Sequence, residues 1–331
     1  MNKADTCLVT GVSGFIGSHL AEKLTDSGYR VIGLDCFTNY YNKNIKLNNL
    51  TKLLTRRNFH LIEADLLDID LESIVNGSYF NSTRDLDWSP VSYILHLAAQ
   101  AGVRSSWGSS FDTYTSNNIL ATQKLLEASK GSSIKMFVNA SSSSVYGNAD
   151  ILPTSEDTKL HPISPYGVSK LAGEHLCQLY WENYQLPVLS LRYFTVYGPR
   201  QRPDMGFHKF IKAIQEGNEI TLFGDGEQTR DCTYVGDVVD ATISAMTSSA
   251  KGQVFNIGAD SPISVNKIIL EIETILNIKS KIRRIHSQKG DVNNTWANIN
   301  LSKKVLNYFP KISIRAGLEA QVKYILENEV S

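Results

Sequence analysis

Gly11-Val12-Ser13-Gly14-Phe15-Ile16-Gly17 is the stretch that decides the fold. The apolar run Cys7–Thr10 precedes it. Phe15–Ser27 follows with helix periodicity: Ile16, Leu20 and Leu24 lie four apart on one face, with Ala21 beside them. A strand, a glycine turn and a helix in that order begin a βαβ unit. The spacing is G-x-x-G-x-x-G. Gly11 allows a sharp turn, Gly14 lets the backbone approach a pyrophosphate, and Gly17 lets helix and strand pack closely. The helix N-terminus at Phe15 and Ile16 adds free N–H groups and partial positive charge, so the loop is expected to hold a dinucleotide.

Outward from this loop, Gly28 ends the helix and Arg30–Asp35 reads as a second strand. Asp35 lies eighteen residues past Gly17. A carboxylate there accepts bonds from ribose hydroxyls and repels a 2′-phosphate, which favours NAD over NADP. His60–Asp65, Val91–Ala99, Lys135–Ser141 and Val188–Tyr193 read as four more strands, with helical segments at about 113–130 and 166–184. This alternation predicts an α/β fold, a Rossmann-type doubly wound parallel sheet with both faces covered. Asp65 and Leu66 are expected at the adenine edge. Ala98 is expected to let the dinucleotide lie against the strand end, and His96 to be a packed, hydrogen-bonded histidine.

Gly198-Pro199-Arg200 breaks the pattern. Residues 1–198 are therefore expected to form the cofactor domain with its catalytic residues. Residues 199–331 are expected to form mainly a smaller α/β substrate lobe, some of whose segments return to the first domain. Asn76–Pro90 reads as a polar surface insertion.

The 331 residues are 42 % apolar and 20 % charged, as in an ordinary globular chain. Lys+Arg and Asp+Glu each number 33, which gives no electrostatic footprint for nucleic acid or an anionic membrane. No apolar run approaches the roughly 20 residues of a membrane helix, and no signal peptide opens the chain, so a cytoplasmic protein is expected. Cys7, Cys36, Cys177 and Cys232 are scattered and read as reduced thiols without a metal site. The sequons at Asn76, Asn81, Asn139 and Asn293 read as chance.

Tyr166-Gly167-Val168-Ser169-Lys170 opens a predicted helix, and a spacing of four puts Tyr166 and Lys170 on one face. A phenol with a pKa of about 10 is a poor base at neutral pH. A neighbouring ammonium and the positive charge of an oxidised nicotinamide favour the phenolate. Tyr166 is then able to take a hydroxyl proton while hydride leaves the same carbon. Lys170 is also placed to hold the nicotinamide ribose. The preceding strand ends in Ser141-Ser142-Ser143-Ser144-Val145-Tyr146-Gly147, whose hydroxyls face the crevice where such sheets bind ligands.

Together these segments resemble the extended short-chain dehydrogenase/reductase superfamily along essentially the whole chain. More narrowly, Asp35–Tyr41 (DCFTNYY), Ala98–Arg104 (AAQAGVR), Leu191–Asp204 (LRYFTVYGPRQRPD) and Phe207–Phe210 resemble the nucleotide-sugar 4-epimerases, and within these the UDP-glucuronate 4-epimerases. The resemblance makes Ser142 the hydroxyl partner of Tyr166. The related sugar 4,6-dehydratases carry Asp-Glu just before Val-Tyr-Gly, and the UDP-glucuronate decarboxylases carry Glu there. This chain has Ser143-Ser144. UDP-galactose 4-epimerases usually have Asn where this chain has Thr195, which leans toward a uronate.

What the resemblance implies is C4 epimerisation of a UDP-sugar through a transient 4-keto sugar, with NAD regenerated in each cycle. Arg230 resembles the family's diphosphate-binding arginine, Phe223 is placed for uracil, and Asp291 for the uridine ribose. Arg202 is the first candidate for the uronate carboxylate, with Ser143, Ser144 and Thr195 as hydroxyl donors and Arg200 and Arg104 as competitors. A homodimer paired through the helices at 113–130 and 166–184 is implied as well. Three other readings stay open: a 4-epimerase of UDP-glucose or UDP-N-acetylglucosamine, a UDP-glucuronate decarboxylase, and a dinucleotide-binding regulator without catalysis.

Overall fold

Strand Thr6–Thr10 (β1) is buried along its entire length, which requires cover on both faces of its sheet. The computed structural model describes residues 5–80, 89–286 and 290–328. Further strands are β2 (Arg30–Asp35), β3 (Phe59–Glu63), β4 (Val91–His96), β5 (Met136–Ser142), β6 (Val188–Tyr193), β7 (Thr195–Tyr197), β8 (Glu219–Phe223), β9 (Thr229–Tyr234), β10 (Gln253–Ile257), β11 (Pro262–Ser264) and β12 (Lys281–Ile285). Seven of them form one sheet in the order β10-β6-β5-β4-β1-β2-β3, every pair parallel.

Alternation along these strands builds two apolar layers. Cys7, Val9, Val31, Tyr93, Leu95, Met136 and Val138 face the helices Phe15–Asp26 and Val235–Thr247. Leu8, Ile32, Leu34, Ile94 and Phe137 face the opposite layer, with Ile74, Leu125, Leu126 and Cys177 of helices Leu71–Asn76, Ala121–Ser129 and Pro165–Tyr184. The sheet runs from β1 through β2 to β3 on one side and restarts with β4 on the other side of β1. A crevice therefore opens at the carboxyl ends of β1 and β4. A third core, with Tyr197, Ile211, Ile220, Leu222, Ile268 and Leu318, lies in later parts of the chain, under the small sheets β11-β9-β7 and β12-β8. Two later segments, Val235–Thr247 and β10, belong instead to the seven-stranded layer.

Boundaries differ from the sequence expectation where side chains replace ladder bonds. β3 stops at Glu63, because Asp65 Oδ1 accepts from Leu67 N (2.9 Å) and turns the chain. β4 stops at His96, because Ala98 N donates to Thr10 Oγ1 (3.2 Å) rather than to a strand carbonyl. The helix expected at 113–130 is interrupted by a wide π-turn over Thr115–Leu120. Within it, Asn118 exchanges hydrogen bonds with both backbone groups of Gln100 (2.7 and 3.0 Å) and donates to Ser169 Oγ (2.9 Å). Residues 81–88 of the Asn76–Pro90 insertion, with the Asn81 sequon, lie outside the described residues. Up to that point, helix Leu71–Asn76 ends at Gly77 with φ +83°. Among the described residues no helix is long and apolar enough to cross a membrane.

His96 is buried between Thr10 Oγ1 (2.8 Å) and Thr122 Oγ1 (3.0 Å). Burial, with the charge of Lys170 adding to it, pushes its pKa down to about 3. The imidazole folds neutral and ionises freely once unfolded. Its contribution is complete above the unfolded pKa near 6.5 and drains as the pH falls toward the folded value. Urea titrations are therefore expected to show His96 costing about 2 kcal/mol of stability between pH 7 and pH 5, and His96→Gln to flatten that slope.

Candidate active site

At the crevice, Gly11 turns with φ +69°, and a Cβ there would stand 2.8 Å from Ala98 N. Its N–H donates to Leu34 O (2.8 Å), and its carbonyl accepts from Gly14 N (3.1 Å). A Cβ on Gly17 would stand 2.2 Å from Gly11 O, so helix Phe15–Asp26 sits directly on the turn. The close contact that Gly17 permits is thus with the loop backbone rather than with the strand. A cavity of about 230 Å³ opens here, lined by Gly11, Gly14, Phe15, Ile16, Gly17, Asp35, Asp65, Leu66, Ala98, Tyr166, Lys170 and Arg202 among others.

Asp35 accepts from Ser13 N at Oδ2 (3.0 Å) and from Phe37 N at Oδ1 (2.8 Å). Two backbone donors fix the carboxylate at the cavity wall, and an ionised carboxylate keeps further lone pairs for ribose hydroxyls. The helix N-terminus, the glycine cradle that any Cβ would fill and this anchored acid fit a dinucleotide lacking a 2′-phosphate.

Tyr166 and Lys170 reach the same cavity from the start of helix Pro165–Tyr184, whose N-cap Ser164 accepts from Gly167 N (3.1 Å). Tyr166 is half-buried, and its ring meets the edge of Tyr114 at 6.2 Å. Burial raises the phenol pKa, while a hydrogen bond with Ser142 and the charge of Arg202 hold it down. Lys170 reaches across to the strand and donates to Ala140 O (2.9 Å), and Ser142 and Arg202 face the phenol. Burial pushes the Lys170 pKa down to about 8 against the opposing charge of Glu174. Ser142 ends β5, accepts from Ser144 N (3.2 Å) and donates to Ser144 Oγ (3.1 Å).

A second cavity of about 160 Å³ is lined by Ser143, Ser144, Thr195, Arg230, Asp291 and others. The hydroxyl donors expected for a carboxylate thus line one cavity, while Arg202 and Tyr166 line the first. Arg202 forks onto Asp204 through Nε (2.9 Å) and Nη2 (3.0 Å), and Asp204 also accepts from Tyr40 OH (3.2 Å). Arg200 is not part of this group. It pairs with Glu22 on the first helix (2.7 Å). Arg104 forks onto Asp291 (2.6 and 3.3 Å) and stacks over Phe223 at 3.9 Å, joining the two residues assigned to the uridine. Arg230 donates to the carbonyls of Val292 (2.8 Å) and Asn293 (3.0 Å). Its neighbour Asp231 is fully buried on the backbone N–H groups of Ala259 and Ala297 and makes no pair with it.

Sequence reasoning missed Asn118, Glu174 and Arg192 around this site. Arg192 was legible as a charge within the apolar run Val188–Tyr193, and Glu174 as a carboxylate one further helical turn beyond Lys170.

The chain is similar to known proteins along nearly its whole length. Residues 7–258 match the model of the NAD dependent epimerase/dehydratase family. A Bacillus subtilis (strain 168) protein, named as the uncharacterized UDP-glucose epimerase YtcB, is 44 % identical over 96 % of this chain and 97 % of its own length. The UDP-glucuronate 4-epimerase of Thermodesulfobacterium geofontis (strain OPF15) is 38 % identical over 97 % of this chain and 96 % of its own. The crystal structure of UDP-glucuronic acid 4-epimerase from Bacillus cereus, in complex with UDP-glucuronic acid and NAD, superposes with a TM-score of 0.90. That protein is 42 % identical, and the match covers 97 % of this chain and 99 % of that one. A chain with this glycine turn, this tyrosine–lysine pair and these relatives belongs to the NAD dependent epimerase/dehydratase family.

Proposed function

We propose that this chain is an isomerase that interconverts UDP-glucuronate and UDP-galacturonate at C4, with NAD held by Gly11, Gly14, Phe15, Ile16, Gly17, Asp35, Asp65, Leu66 and Ala98. One observation carries the reading: Tyr166 and Lys170 enter the cavity beside the glycine turn while Ser142 holds the phenol from the strand end. The chemistry that NAD supplies when bound is reversible hydride acceptance, which turns the C4 carbinol into a ketone and back. Tyr166 removes and restores the proton at sugar O4. Ser142 orients O4, and Lys170 fixes the ribose side of the cofactor and supplies positive charge.

Residues 1–198 act as the cofactor domain and 199–331 mainly as the sugar-nucleotide lobe. There Arg230 serves the diphosphate, Phe223 the uracil and Asp291 the ribose. Ser143, Ser144, Thr195 and Arg202 serve the carboxylate. A 4-keto uronate is a β-keto acid, so these groups must hold its carboxylate out of the alignment that releases CO2. Exposed Leu120, Val168, Leu179 and Tyr184 on the helices at 111–129 and 165–184 support pairing of two copies through that face, and the assembly acts in the cytoplasm.

An NMR time course with UDP-glucuronate tests the reading: UDP-galacturonate accumulates without a net change in NAD, whereas a pentose product would make the chain a decarboxylase. The second reading, epimerisation of a neutral UDP-hexose, draws on the Asp204 carboxylate that already occupies the Arg202 fork. Arg202→Ala separates the two. It is expected to lower kcat/KM on UDP-glucuronate by about 10- to 100-fold. A loss no greater than that of the remote Arg315→Ala rejects the assignment of Arg202.

A further inference from the structure

Three consecutive residues of β5 each hold one turn of the catalytic helix. Ser142 faces Tyr166, Ala140 O takes the Lys170 ammonium, and Ser141 Oγ donates to Glu174. Tyr166, Lys170 and Glu174 recur every fourth residue and so lie on one face of helix Pro165–Tyr184. The proposed mechanism uses the first two and leaves the third unexplained. Glu174 is buried and receives a fork from Arg192, through Nε (3.0 Å) and Nη2 (2.8 Å). Arg192 is the cross-strand neighbour of Ser141 on β6. Its Nη1 donates to Tyr146 OH (2.8 Å) and Glu156 O (3.1 Å), and Tyr146 OH donates to Asn256 Oδ1 (2.7 Å).

A buried ion pair is a poor stabiliser against apolar residues of the same volume, because both charges lose their hydration. Its location explains more than its energy does. We propose that Glu174, locked in place by Arg192 and Ser141, is the positioning residue that keeps the Lys170 side chain charged and directed at the cavity. This inference rests on the epimerase reading above. The groups acting on or acted on by Lys170 are Glu174 and Cys177 on its own helix and His96 on β4, with Tyr166 one turn before it, while Arg192 on β6 is held beyond Glu174. Burial disfavours the ammonium, and Cys177 and His96 fold uncharged because burial pushes the thiol up and the imidazole down. The Glu174 carboxylate is the negative charge that offsets this burial.

Two variants test this: Glu174→Gln, and Glu174→Gln with Arg192→Met, which removes both charges and leaves no buried guanidinium unpaired. Competitive acetylation of Lys170 with acetic anhydride, read by peptide mass spectrometry across about pH 6 to 10, follows its amine directly. The pH profile of kcat on UDP-glucuronate follows its role in turnover. The labelling midpoint is expected to fall by about one pH unit in either folded variant, and the alkaline limb of kcat to move with it. At pH 8 kcat is expected to fall about fivefold, with KM changed less than about twofold. A folded double variant that keeps the parental midpoint and alkaline limb overturns the proposal and leaves Glu174 as a mere counter-ion for Arg192. Should the unmodified chain not epimerise UDP-glucuronate, the function fails, and the labelling still decides the coupling between Glu174 and Lys170.

Discussion

Tyr166→Phe is expected to leave a folded, NAD-binding protein whose kcat on UDP-glucuronate is about 10³-fold lower, because the change deletes the hydroxyl proposed to carry the O4 proton. The ring packs against the edge of Tyr114, and Phe preserves that contact. What goes is the hydroxyl, together with its bond to Ser142. Burial raises the phenol pKa, so in the parent protein turnover rises with pH as more of the base form becomes available. Lys170, with its pKa near 8, loses its charge at the other end of the range and limits the gain. The pH–rate profile of the parent is therefore expected to peak on the mildly alkaline side. Thermal melts and NAD titration of Tyr166→Phe should match the parent. A variant with these properties and parental kcat would show that another group moves the proton.

The second large effect is Gly17→Ala. One methyl group would be placed 2.2 Å from Gly11 O, a backbone atom fixed by its own bond from Gly14 N. Neither side can yield without opening the turn proposed to hold the pyrophosphate. NAD affinity is expected to fall at least about 100-fold, with a stability loss of about 1–3 kcal/mol from overpacking. Gly173→Ala is the control, since a Cβ there meets nothing nearer than Asn118 O at 3.7 Å. In mid-helix it should stabilise by up to about 1 kcal/mol. Isothermal titration with NAD and chemical denaturation of both variants decide the matter, and equal affinity in the two would remove Gly17 from the cofactor site.

Much of the sheet was legible because its rules are local. Arg30–Asp35 and Val188–Tyr193 have the same limits in sequence and structure, since each is a continuously buried run behind a breaker, Gly28 or Pro187. Strand ends were overrun at Asp65 and Ala98, where a side chain two to eighty-eight residues away captures a backbone group. Periodicity does not report such captures. The same limit applies within the site. Tyr166 and Lys170 sit four apart, and their common face follows from helix geometry. Long-range partners do not: Glu22 for Arg200, and Asp291 with Phe223 for Arg104. An arginine in a loop carries no local signal of which carboxylate it will meet. The burial of Asp231 beneath three backbone donors was hidden for the same reason.

The return of β10 to the edge of the large sheet also governs how this protein tolerates being cut. A fragment ending near Tyr197 would lack both β10 and the Val235–Thr247 helix, and would leave β6 as a raw edge with Leu189 and Leu191 stripped of their cover. Such an edge invites pairing with other chains. The two halves therefore cannot be made as independent pieces, and ribosomal synthesis must pass residue 257 before the first half has its full complement of neighbours.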